Sequence, residues 1–176
     1  MIETERFNDE VLFARHPLSA ISAPDVAELK RMAAANPRRR IRLCAHTDAG
    51  DTLHEMLIVH GRDAYVRPHR HRLKAESCHV VEGHALLFDF DEAGGIDGVV
   101  RLGPPQSGAT FFRRTPPGLF HSLVIVSDWL VFLETTLGPF DAAQMEPAPW
   151  SPDEADSDAV AAFTGRLRAD AERRAA

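Results

Sequence analysis

The run Tyr65-Val66-Arg67-Pro68-His69-Arg70-His71-Arg72-Leu73-Lys74-Ala75-Glu76-Ser77-Cys78-His79-Val80-Val81-Glu82-Gly83 is two short strands around a turn. Side chains alternate along an extended chain, so His69 and His71 project to one side, about 6 to 7 Å apart, and can grip one ion. Leu73-Lys74-Ala75 is a break, after which Glu76 opens a second extended run that is rich in β-formers and ends at Gly83. A tight reversal between the two runs brings the Glu76 carboxylate to the histidine pair. The same parity puts Glu76, Cys78 and Val80 on one face and His79 on the other, which sets His79 aside as a ligand.

A further ligand is expected some distance along the chain. Thr115-Pro116-Pro117-Gly118-Leu119-Phe120-His121 reads as a turn entering Ser122-Leu123-Val124-Ile125-Val126, an apolar, β-branched strand. A polar imidazole at the mouth of such a strand is costly to bury without a partner. A metal ion is an economical one.

Together these elements acquire a specific resemblance. His69 and His71, Glu76 five positions on and Gly83 seven beyond that look like the first cupin motif, while Pro116, Gly118 and His121 look like the core of the second. Asp63 stands where a glycine usually precedes the first motif, and Ile125 where an asparagine often follows the last histidine. The resemblance implies a mainly β fold, a double-stranded β-helix or jelly-roll barrel, holding one divalent transition metal through His69, His71, Glu76 and His121. Zinc, iron, manganese and nickel all suit such mixed ligands. The blocks Leu53-His54-Glu55-Met56-Leu57-Ile58-Val59 and Phe132-Leu133-Glu134-Thr135-Thr136-Leu137-Gly138-Pro139-Phe140-Asp141, with Pro149-Trp150, are similar to the WbuC-type cupin-fold metalloproteins. That family's link to polysaccharide biosynthesis implies a sugar or nucleotide-sugar substrate.

The chain's 176 residues and 44% hydrophobic content are expected to give one structural domain. Residues 1–40 read as an N-terminal extension whose helix, near 24–35, packs on the barrel. Residues 41–150 read as the barrel, with strands from about 41 to 136, and residues 151–176 as a short helical tail. Ser22 with Pro24 and Asp25 marks the start of the first helix and Asn36-Pro37 its end. Ser151-Pro152-Asp153-Glu154 carries the corresponding signature for the second. Asp91, Gly94, Gly95 and Asp97 predict a hairpin loop between Leu86–Phe90 and Val99–Leu102.

A net charge of −6 argues against a nucleic-acid partner, which would need a dominant basic surface. The basic run Arg38-Arg39-Arg40 reads as solvated cations beyond a helix C-terminus. No apolar run is long enough for a membrane helix, and the acidic start is unlike a signal peptide, so the cytoplasm is the expected compartment. Cys44 and Cys78 read as buried free thiols. A homodimer joined through sheet edges is compatible with such barrels, though Trp129 and Trp150 read as core or lid residues.

Parity extended upstream points Tyr65 and Arg67 inward with the histidines. Arg67 then reads either as a clamp for an anionic substrate or as one half of an internal ion pair with Glu55 or Glu134. Lys74, in the turn, can reach either way, and joins Arg67 as a candidate substrate contact. Glu134, in an apolar strand, orients a ligand histidine, acts as a general base, or forms a structural pair. Tyr65 is the other catalytic candidate. His46, His54 and His60 read as structural or pocket-lining residues. The resulting expectation is a metal-dependent enzyme acting on a small polar substrate, anionic or carbohydrate, by isomerisation, epimerisation or hydrolysis. An iron-dependent dioxygenase and a non-enzymatic metal- or sugar-binding module are the competing readings.

Overall fold

The computed structural model describes residues 2–175 of the protein. Alternating apolar side chains build two sheets. The first comprises β1 (Thr4–Arg6), β2 (Val11–Ala14), β3 (Arg40–Cys44), β4 (Leu53–Gly61), β6 (Glu76–Glu82), β9 (Phe112–Thr115) and β11 (Trp129–Leu137). The second comprises β5 (His69–His71), β7 (Ala85–Phe90), β8 (Ile96–Leu102), β10 (Phe120–Ile125) and β12 (Met145–Pro147). Strand order is β1-β2-β3-β4-β11-β6-β9 in one and β12-β5-β10-β7-β8 in the other; β2 and β3 pair in parallel, and the other strand pairs among the described residues are antiparallel. This is the jelly-roll barrel that the motifs imply.

Three apolar clusters show which face of each strand points where. Cys44, Met56, Ile58, Val80, Leu87, Ile125, Leu130 and Phe132 fill the space between the sheets. Leu43, Leu57, Val59 and Val131, one position out of phase on the same strands, pack instead against Leu29 and Ala33 of α1 (Ala23–Ala35). On the far side, Phe88, Phe120 and Val124 bury against Phe163 and Leu167 of α2 (Ser157–Ala175). Each such side chain contributes about 1.5–3 kcal/mol by leaving water.

The first helix forms where its signals place it. Ser22 and Asp25 make a reciprocal cap, and the Ser22 hydrogen bonds hold the Asp25 carboxyl down at about 2. The second helix corrects the expectation. It begins at Ser157 with Asp156 accepting from the Ala159 amide at 3.0 Å, because Ser151 is buried against the barrel and gives its hydroxyl to Ala148 O. Arg38 and Arg40 are likewise not free solvated cations. Both pair with Glu10 and with Glu154, joining the N-terminal strands to the segment before α2. Among the described residues, no helix is long and apolar enough to cross a membrane.

Gly83, which ends the first motif, closes the turn between β6 and β7 at φ +82, a left-handed conformation open to glycine. A Cβ there would lie 2.0 Å from Trp129 O. Gly83→Ala should therefore cost about 2 kcal/mol or more in chemical denaturation. An unchanged midpoint would mean that the turn relaxes without strain.

Candidate metal centre

The site is assembled by pairing β5 with β10. His69 lies directly opposite His121, and Gly118, at φ +83 in the preceding turn, gives its amide to His71 O at 2.8 Å. Ser122 Oγ donates to Val66 O at 2.6 Å and fixes the approach to β5. Across the barrel, Thr136 Oγ1 donates to Ala75 O at 2.9 Å and sets the entry of Glu76 into β6.

Two of the three motif histidines use the same local device. His69 Nδ1 is 2.8 Å from Arg67 O, and His121 Nδ1 is 3.0 Å from Leu119 O. A carbonyl only accepts, so each Nδ1 carries the hydrogen and each Nε2 keeps its lone pair for the barrel interior. His121 Nε2 lies 2.7 Å from Glu76 Oε1, and His71 Nε2 lies 3.0 Å from Glu76 Oε2. Yet His121 Nε2 is buried with no aligned hydrogen-bond partner. Two lone pairs facing each other at that distance repel unless a proton or a metal cation lies between them. The donor set therefore fits a divalent metal. His69, Glu76 and His121 form the candidate triad, each offering a ligand atom within 4.8 Å of the others, with His71 on the second carboxylate oxygen.

Without an ion, the electrostatics favour a proton in that gap, which a metal would displace. Burial opposes ionisation of Glu76, but the His121 and His71 imidazoles outweigh it and hold the carboxyl well below the usual range. Burial likewise opposes charge on His121, and Glu76 overrides it to raise the imidazole above its ordinary value. Burial, then His121, push His69 down to about 4, so it is neutral and ready to ligate at pH 7.

Glu134 on β11 stands opposite Cys78, two residues along β6 from Glu76. Burial, then the Glu76 charge, push it up to about 7. The other candidates lie elsewhere. Arg67 Nε donates to Ser151 Oγ at 3.0 Å and Nη1 to Asp153 at 2.9 Å, while Tyr65 Oη donates to Pro152 O at 3.1 Å. Neither turns with the histidines, because Tyr65–Pro68 is not strand and its side chains need not alternate. Arg67 is in a surface ion pair with Asp153, which is 67% exposed, and in neither an internal pair with Glu55 or Glu134 nor the cluster of histidines. Lys74 Nζ donates to Pro139 O at the rim. His79 is exposed, as parity requires. Cys44 and Cys78 are free thiols, the first buried and the second half-buried.

Three other histidines line the same inner face. His46 and His54 stack with ring centroids 4.1 Å apart. His60 packs edge-on against Phe132 with Nδ1 buried and unpartnered, and burial, then Arg42, lower it to about 3. A base held neutral in this way costs nothing above pH 6.5. It destabilises the fold progressively from about 6.5 toward 3, because only the unfolded chain takes up the proton there. In metal-free protein, His60→Phe should flatten that part of the pH–stability curve in chemical denaturation. Parallel curves for the two proteins would rule the histidine out as a source.

Residues 21–102, a little under half of the chain, match the family described as Domain of unknown function (DUF6016). No curated protein matches the chain. Among solved structures, oxalate decarboxylase from Bacillus subtilis aligns with a TM-score of 0.48 and 19% identity, over 61% of this chain and 27% of its own. KdgF from Halomonas sp. aligns at 0.46 with 16% identity, over 59% and 82%. A protein from Shewanella oneidensis aligns at 0.46 with 12% identity, over 56% and 63%. The chain thus spans 27% of the length of the decarboxylase that it matches.

Proposed function

We propose that the protein is a metal-dependent enzyme that moves a proton on a small polar substrate, in an isomerisation, epimerisation or hydrolysis. The observation that carries this reading is the buried, unaligned approach of His121 Nε2 and Glu76 Oε1, with the Glu134 carboxyl nearby on the same inner face. His69, His71, Glu76 and His121 would hold the ion. When bound, it supplies Lewis acidity to a substrate oxygen or to water.

The chain's own groups do the rest. Arg67 O and Leu119 O hold the two imidazoles in one tautomer, as partners of ligand histidines generally do. Glu134, half-protonated near neutrality before any ion binds, can take or give the proton. Barrel walls exclude bulk water from both. A sugar or nucleotide-sugar substrate follows from the WbuC-type resemblance and would meet these groups through its hydroxyl and carbonyl oxygens.

The test is to load the protein separately with zinc, iron, manganese and nickel and incubate it with sugars in deuterated water. Incorporation of deuterium at carbon, or release of a hydrolysis product, is expected with at least one metal. Oxygen uptake without exchange would overturn the reading in favour of a dioxygenase. Metal binding without turnover would favour a binding module.

A further inference from the structure

The inner face of the seven-stranded sheet carries a pair of arginines with different fates. Arg113 on β9 is neutralised: its Nη2 lies 2.8 and 2.9 Å from the two carboxylate oxygens of Asp89 on β7, tying the sheets together on the flank of the site. Arg42 on β3 has no such partner. It pairs in register with Ile58 and shares the barrel side with Cys44, since Ile41 and Leu43 face α1. Its guanidinium reaches Met56 Sδ at 3.9 Å, a weak acceptor, and among the described residues no carboxylate lies within ion-pair distance of it. The residue is exposed, so it lies where the interior opens to water. It also acts electrostatically on Glu134, as Glu76, His71 and His121 do.

Charge decides what such an interior accepts. The chain as a whole is negative, at −6. Inside the barrel, Asp89 cancels Arg113, Glu76 cancels one of the two charges of a divalent ion, and Arg42 offsets Glu134 even when that carboxyl is ionised. A net positive charge remains, at the place where the interior opens to water. A single unpaired guanidinium offers a bidentate match to one carboxylate. Its one positive charge balances one carboxylate, whereas a phosphate carries close to two negative charges.

We propose that Arg42 is the substrate-binding residue for a carboxylate, and that the barrel takes a sugar acid or similar polyhydroxy acid with its acid group on Arg42 and its oxygens toward the histidine cluster. This rests on the metal-dependent reading above and adds the substrate's charge to it. Gluconate and its neutral counterpart sorbitol separate the two contributions, with sorbitol 6-phosphate as the phosphate arm. Calorimetric titration of metal-loaded protein should show gluconate bound and sorbitol much weaker. Arg42→Gln should weaken gluconate by at least about tenfold, and Arg42→Lys should recover part of the loss. Metal content should be equal in all three proteins. Equal gluconate affinity in wild type and Arg42→Gln, no gluconate binding by metal-loaded wild type, or preference for sorbitol 6-phosphate overturns the inference while leaving the metal centre standing. Wild type that takes up no metal overturns both.

Discussion

Replacing His121 with alanine is expected to strip the protein of metal. His121 supplies the most buried nitrogen of the cluster, 4% exposed, and sits 2.7 Å from Glu76 Oε1. Elemental analysis should find close to one ion per chain in wild type and almost none in His121→Ala, with His69→Ala behaving alike. Binding only to the folded state also stabilises it, by about 3–4 kcal/mol when free metal exceeds its dissociation constant by a hundred- to a thousandfold. The variant should therefore melt well below wild type in metal-containing buffer, and a chelator should close most of that gap. Normal metal content in both variants would falsify the site.

Glu134→Gln should have the second large effect, and it should separate chemistry from binding. The amide keeps the shape of the carboxyl but cannot exchange its proton, so deuterium incorporation should fall by about a hundred- to ten-thousandfold while metal content stays near one. A second signature needs no substrate. In metal-free protein the folded state holds the Glu134 proton up to about 7, whereas an unfolded glutamate releases it near 4.5. Stability from this group is thus complete below about 4.5 and lost as pH rises through 7. Glu134→Gln should remove that fall. Wild-type exchange rates in the variant would reduce Glu134 to a structural role.

What the sequence made legible follows from how local each signal is. The period-two placement of His69 and His71, the opposite facing of Glu76 and His79, and the Ser22–Asn36 helix depend on near neighbours, and the structure has them. The Gly94–Gly95 hairpin is equally local and joins β7 to β8. Tyr65 and Arg67 needed the strand to continue upstream, but Pro68 precedes a strand only three residues long. Ser151 carries a helix-start pattern that tertiary burial redirects to Arg67 and Ala148. Arg42 gave no signal because its importance lies in what it lacks. Reading it required the carboxylate partners of the other arginines to be in place.

The short strand that carries two of the clustered histidines is flanked on its outer side by β12, whose Met145 and Pro147 pair with His71 and His69. The centre therefore draws on chain from residue 69 to residue 147, and its last piece is the last made. During synthesis, the strand bearing His69 and His71 waits with one edge unpaired until that segment leaves the ribosome. The candidate ligands are all made by residue 121, so β12 adds backbone cover to the edge of β5 and no ligand of its own.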